Sequence, residues 1–176
     1  MIALDVVSSA MYEATRMAAT HLPPDVENAL VAALEEETDP LARSHIEVSL
    51  ENARAAAEGE GLVCADTGFP LFFVTAGSKT VIEGGFGALS EAARDATGRA
   101  TAESFLRPTM VDPLTRQNPG DNLGPGMPKI ELRFEGDGDG LDIIAAPKGG
   151  GSEIFGTFYR MTVSYTHLTL PTKRIV

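Results

Sequence analysis

Gly59-Glu60-Gly61-Leu62-Val63-Cys64-Ala65-Asp66-Thr67-Gly68-Phe69-Pro70-Leu71-Phe72-Phe73-Val74 divides the chain into two textures. Before it the apolar residues recur at helical spacing. Two glycines then stop the last helix, a short apolar segment carries the chain's one cysteine into a glycine turn, and an aromatic and β-branched run reads as a strand. The expected class is therefore α+β, with a helical N-terminal segment followed by a mixed, sheet-containing region.

Upstream, Val6, Val7, Ala10, Met11, Ala14 and Met17 or Ala18 recur at three and four and predict one helix with an apolar stripe. Pro23-Pro24-Asp25 predicts the start of a second helix running through Glu37. Thr38-Asp39-Pro40 predicts a third, to about Glu58, with proline in the first turn where its missing N–H costs nothing. Downstream, Leu71 to Val74 and Thr80-Val81-Ile82 read as short strands, Gly87 to Ala96 as a helix and Lys129 to Glu135 as a strand. Gly136-Asp137-Gly138-Asp139-Gly140 reads as a hairpin-type turn into Leu141 to Ala146. That run lacks the further ligands and closing glutamate of a calcium loop. The Glu35-Glu36-Glu37 run is a solvated helix end, and His21 and His45 lack metal-ligand spacing.

Three segments carry chemistry. In an extended segment residues two apart point the same way, so the Cys64 sulfur, a soft metal ligand, and the Asp66 carboxylate are expected to face one pocket. The alternative is a cysteine acting as a small buried hydrophobe. Arg107 and Arg116 flank a loop rich in asparagine, proline and glycine, Asn118-Pro119-Gly120-Asp121-Asn122, and a guanidinium grips a carboxylate through two parallel hydrogen bonds. Pro147-Lys148-Gly149-Gly150-Gly151-Ser152-Glu153 lets successive amides turn toward one point beside a cation, which suits an anion. It is not a nucleotide P-loop, because Lys148 precedes the glycines. Asp66-Thr67-Gly68 also matches the core tripeptide of an aspartic protease, but that chemistry needs two such tripeptides and the chain has one.

Taken together, the Cys64-to-Gly68 motif, the arginine and Asn118-to-Asn122 loop, and Pro147 to Glu153 resemble class I fumarate hydratases. The likeness is nearest to the α subunit of the two-subunit fumarate hydratase or L(+)-tartrate dehydratase, the iron–sulfur hydro-lyases, and covers nearly all of residues 1–161. The resemblance implies that Cys64 is the first of three thiolates holding a 4Fe-4S cluster and that Asp66 lies beside the substrate as a candidate base. It implies that Arg107 grips a substrate carboxylate, and that Lys148, Gly149, Gly150 and Gly151 belong to a loop whose amides contact substrate. Two positions depart from the family pattern: Ala65, often glutamine there, and Ile154, often asparagine. The implied reaction is reversible hydration of fumarate to malate, with tartrate dehydration as the alternative. A four-carbon dicarboxylate is the implied substrate, a β subunit or second domain the implied partner, and the assembly is expected to be oligomeric. A non-catalytic anion-binding module, or a fragment inactive by itself, is the reading from another class.

One cysteine cannot hold a cubane, which takes several thiolates. Residues 163–176, Val163 to Val176, look like the translation of a transposase-based sequencing adapter, so 1–162 is expected to be a truncated hydro-lyase domain and 163–176 a non-native tail. The chain carries 14 basic and 25 acidic residues, net −11; without Lys173 and Arg174 the balance is 12 against 25, or −13. So acidic a body disfavours nucleic acid and anionic membranes as partners. Its 176 residues include no apolar run near the length that would span a bilayer, and the start lacks a secretory pattern. With a single thiol there is no disulfide framework, and a reduced cytoplasm is the expected compartment.

Overall fold

The computed structural model of the chain describes residues 1–149. Three helices lead: α1 (Leu4–Thr20), α2 (Pro24–Glu36) and α3 (Pro40–Ala57). Proline opens α2 and α3 as expected, and the Asp39 side chain caps α3 by accepting from the Leu41 and Ala42 amides at 3.0 and 2.9 Å, a device worth about 1 kcal/mol. At its far end Gly59 takes φ +87°. The Glu60 amide reaches back to the Ala55 carbonyl (2.9 Å), closing the left-handed cap that glycine adopts without penalty.

The buried stripe of α1 is rotated from the expected one. Val7, Met11, Thr15 and Ala19 are buried at intervals of four, together with Ser8, Tyr12 and Thr20, while Val6 and Met17 are more than half exposed. The apolar count missed this because the inward face contains polar groups that find partners there. Ser8 donates to Asp95 and Tyr12 to Glu103, both at 2.5 Å, and Thr15 donates to the Met11 carbonyl at 2.8 Å. Donation to the Glu103 carboxylate holds the Tyr12 phenol above its ordinary pKa, and Arg99 lies over the Tyr12 ring at 4.3 Å.

The second half forms β1 (Phe69–Ala76), a 3₁₀ turn (Phe86–Ala88), α4 (Leu89–Ala102), β2 (Lys129–Phe134) and β3 (Leu141–Lys148). The strands order as β2-β1-β3, with β1 parallel to β2 (Leu71 opposite Lys129) and antiparallel to β3 (Phe69 opposite Lys148, Ala76 opposite Leu141). Phe72, Val74 and Ala76 alternate inward from the central strand. They form one core with Val7 and Met11 of α1, with Leu89, Ala92, Ala93, Ala96 and Ala100 of α4, and with Leu106. Among the described residues no helix is long and apolar enough to cross a membrane.

Three local expectations need correction. Thr80-Val81-Ile82 is not a strand: Ile82 makes a lone parallel bridge to Ile2, and the Thr80 hydroxyl donates to the Gly140 carbonyl. The helix expected over Gly87 to Ala96 begins at Leu89 and continues to Ala102, because its alanines keep burying against α1. Gly136 to Gly140 is not a hairpin between paired strands. β2 and β3 lie on opposite sides of β1, and this glycine-rich segment crosses the end of β1, where the amides of Gly77, Ser78 and Lys79 donate to the carbonyls of Gly140, Gly136 and Gly138. A Cβ on Gly77 would stand 2.1 Å from the Gly138 carbonyl oxygen, so the crossing requires glycine there. Gly77→Ala is expected to lower stability by about 1–3 kcal/mol in urea melts, as overpacking does. Val6→Ala on the exposed side of α1 should change it by under about 0.5 kcal/mol, and equal midpoints for the two variants would contradict this packing.

Candidate functional site

The loop bearing Cys64 is tied down on both sides before it reaches the cysteine. The Val63 amide donates to the Ala19 carbonyl at the end of α1 (2.9 Å), and the Asn52 side-chain amide on α3 donates to the carbonyls of Leu62 (3.2 Å) and Val63 (3.0 Å). Residues 62–68 are not a strand; β1 begins only at Phe69. Cys64 and Asp66 therefore meet through a bend rather than by strand alternation, with the Asp66 amide donating to the Cys64 sulfur at 3.5 Å. Both side chains are exposed, which sets aside the reading of Cys64 as a buried hydrophobe.

The sheet brings the glycine segment to this loop. Because Phe69 pairs with Lys148, the residues just outside that pair, Gly68 and Gly149, are neighbours at the same end of the sheet. A Cβ on Gly149 would stand 2.1 Å from Asp66 Oδ2 and 2.9 Å from the Asp66 carbonyl oxygen, so the carboxylate rests directly on the glycine backbone. Lys148 is half-buried at the end of β3. Gly150, Gly151, Ile154 and the tail 163–176 lie outside the described residues.

A third segment, Arg107 to Met110, closes against the same point. The buried Thr67 hydroxyl accepts the Arg107 amide at 2.9 Å. A Cβ on Gly68 would stand 1.5 Å from Thr109 Oγ1, a buried atom without a hydrogen-bond partner among the described residues, and 3.0 Å from the Arg107 carbonyl oxygen. The Arg107 side chain is exposed, and none of the ion pairs among the described residues involves it. Arg116 stands apart at φ +61°, in a turn where Asp112 accepts the amides of Thr115 (2.7 Å) and Leu114 (2.9 Å); those bonds hold the Asp112 carboxyl below its usual range. Arg116 is not among the residues that meet at Gly68 and Gly149. A cavity of about 680 Å³, lined by Met110, Pro113, Pro119 and Leu123 among others, lies inside this loop.

Asn122 is the residue whose importance the sequence did not disclose. Its side chain is fully buried at φ +57°, accepts the amides of Thr109 (3.0 Å) and Met110 (3.3 Å), and donates to the Arg107 carbonyl (3.0 Å) and the Thr101 hydroxyl (3.2 Å). It pins the Arg107 segment to the end of α4. The only sequence signal was its place in a loop dense in turn residues. Among the described residues no group of three or more histidine, cysteine or acidic side chains could hold a metal. Cys64 alone, exposed and accepting an amide, has the chemistry of one thiolate ligand; hydrogen bonds of that kind tune iron–sulfur clusters. Asn122→Ala is expected to cost about 2–4 kcal/mol, because four groups lose a partner in a buried setting. Asn122→Asp should cost at least as much, since a second oxygen would face the Arg107 carbonyl; an Asn122→Ala melt indistinguishable from wild type would contradict the pin.

The family model for fumarate hydratase (Fumerase) matches residues 8–172. The chain is 36% identical over 148 residues to a putative L(+)-tartrate dehydratase subunit alpha of Methanocaldococcus jannaschii, covering 84% of this chain and 52% of that protein. It is 32% identical over 151 residues to a putative fumarate hydratase class I of Geobacillus stearothermophilus, covering 85% of this chain and 28% of that one. It is 30% identical over 142 residues to the L(+)-tartrate dehydratase subunit alpha of Escherichia coli, covering 81% and 46%. The chain thus spans about half the length of the α-subunit relatives it matches. With three segments converging on Gly68 and Gly149 and a family match over most of its length, the chain belongs to the fumarate hydratase (Fumerase) family.

Proposed function

We propose that the chain is part of the α-type component of an iron–sulfur hydro-lyase that hydrates fumarate to malate reversibly. The observation that carries the reading is the meeting of Cys64, Asp66 and Gly149 at one end of the sheet, with the Arg107 segment packed beside them. A 4Fe-4S cluster, when bound, would supply Lewis acidity toward the hydroxyl of a hydroxy acid. Cys64 would hold it through one thiolate, and the other ligands would come from outside the residues described.

The chain's own groups do the remaining work. Arg107 presents an exposed guanidinium to one substrate carboxylate, in the bidentate geometry lysine cannot reproduce. The amides from Gly149 onward, with Gly150 and Gly151, receive the other end of a dianion that the acidic surface would otherwise repel. Asp66, held against Gly149, takes the proton from the carbon next to the one that loses its hydroxyl, so that the C–H electron pair forms the double bond, or returns it in hydration. No electrons are exchanged with the substrate.

Names among the relatives are divided between the two substrates, and L(+)-tartrate dehydration, the same elimination with a further hydroxyl, is the second reading. A β-type component or second domain is proposed to complete the site, in an oligomer residing in the cytoplasm. Anaerobic reconstitution of the full-length α-type chain with its β-type component tests this. Cys64→Ser should lose bound iron along with activity, and Asp66→Asn should keep iron while its turnover falls by about 10²–10⁴-fold. Arg107→Lys should act mainly on KM. A Cys64→Ser protein with full iron content and full hydratase rate would sink the assignment.

A further inference from the structure

Thr67 is a buried polar residue to which the proposed reaction gives no task. It is 3% exposed and stands between Asp66, whose side chain is exposed, and Gly68. Its hydroxyl accepts the Arg107 amide at 2.9 Å, so one side chain ties the loop bearing Cys64 and Asp66 to a segment forty residues further along the chain. A β-branched side chain is stiff at χ1, and a buried threonine therefore holds its hydroxyl in place. On the other side of the same residue, the Arg107 carbonyl accepts from the buried Asn122 side-chain amide at 3.0 Å, and the preceding Leu106 is fully buried in the core. The Arg107 backbone is gripped on both sides while its side chain stays exposed.

These contacts leave the two segments little room to slide. A Cβ on Gly68 would stand 1.5 Å from Thr109 Oγ1 and 3.0 Å from the Arg107 carbonyl oxygen, so the chains already meet at close approach. Any shift would also strip the Arg107 amide of its partner in a partly buried setting, which is costly. We propose that Thr67 is a positioning residue: it fixes where Arg107 stands relative to Asp66, so that a dicarboxylate held at one end by the guanidinium meets the proton-carrying carboxylate in register. This rests on the roles given to Asp66 and Arg107 above. Thr67 itself touches no substrate, because its hydroxyl is turned to the Arg107 amide. It acts through Arg107, and a misplacement of about 1 Å at such an anchor can cost about 10²-fold in rate.

The test is a double-mutant cycle in the full-length α-type chain assembled with its β-type component, read as the Kd of succinate, an unreactive four-carbon dicarboxylate, by calorimetry. Thr67→Val keeps the side chain's shape and removes the acceptor. It should raise the succinate Kd by about tenfold in the wild-type background and by less than about threefold in an Arg107→Ala background, because the hydroxyl acts through that residue. Thr67→Ser, which restores a hydroxyl, should return Kd to within about threefold of wild type. Hydrogen exchange of the peptide containing Arg107 should be about tenfold or more faster at that amide in Thr67→Val, and near the wild-type rate in Thr67→Ser. Equal losses in both backgrounds, an unchanged Kd in Thr67→Val, or unchanged exchange at Arg107 would each overturn the proposal. Should Thr67→Val not fold, Thr67→Ala carries the same cycle, and failure of both to fold makes Thr67 a structural residue and equally overturns it. Turnover of fumarate and of tartrate is scored separately. A wild-type assembly that binds succinate with the pair coupled yet turns over neither acid refutes the hydro-lyase reading and leaves Thr67 as the residue that places Arg107; an assembly that does not bind succinate overturns both.

Discussion

The register of β1 against β3 is the constraint from which the candidate site follows. Pairing Phe69 with Lys148 sets Gly149 beside Gly68 and hence beneath Asp66. A slip of one residue would turn one strand's side chains to the opposite face, and with it Phe72 and Val74 would leave the core they form with α1 and α4. Burying each of those side chains stabilises by about 1.5–3 kcal/mol, whereas a typical hydrogen bond at the site contributes about 1 kcal/mol. The apolar core therefore sets the register, and the site inherits its geometry.

The site itself separates exposed reactive groups from buried supports. Cys64, Asp66 and Arg107 present their side chains to solvent, while the residues next to them in sequence or space, Thr67, Gly68 and Asn122, are buried. Such an arrangement ties loops with exposed side chains to buried, hydrogen-bonded supports. Asn122 is the most economical of these supports, since one side chain fixes two amides, one carbonyl and one hydroxyl. The α2–α3 hairpin is the counterpart: it contributes little to the core and gathers much of the chain's negative charge.

Much of this was legible beforehand, for identifiable reasons. Pro24, Pro40, Asp39 and Gly59 are local signals whose effect does not depend on tertiary context, and the helix ends lie close to where they point. The sequence singled out the Cys64, Arg107 and Lys148 motifs as candidates, and the structure brings the Cys64, Arg107 and Gly149 segments together. Strand order was not legible, because the Asp-Gly run that favours a hairpin also suits a crossing over the end of β1, and only the glycine-to-glycine contact of Gly77 with Gly138 tells them apart. The inward face of α1 was misjudged because Ser8, Tyr12 and Thr15 are buried through partners distant in sequence or within the helix. Asn122 was invisible as a pin for the same reason: its partners lie 12 to 21 residues away.

The claim that the sheet register seats the Asp66 carboxylate on Gly149 is tested most directly by a double-mutant cycle in unfolding free energy. Gly149→Ala should destabilise the wild-type chain by about 1–3 kcal/mol, the cost of forcing a methyl group into an occupied space. In an Asp66→Gly background most of that cost should vanish, leaving a coupling of at least about 1 kcal/mol. Costs that simply add would mean that the two residues do not touch, and the convergence of the cysteine loop with the glycine segment would be contradicted.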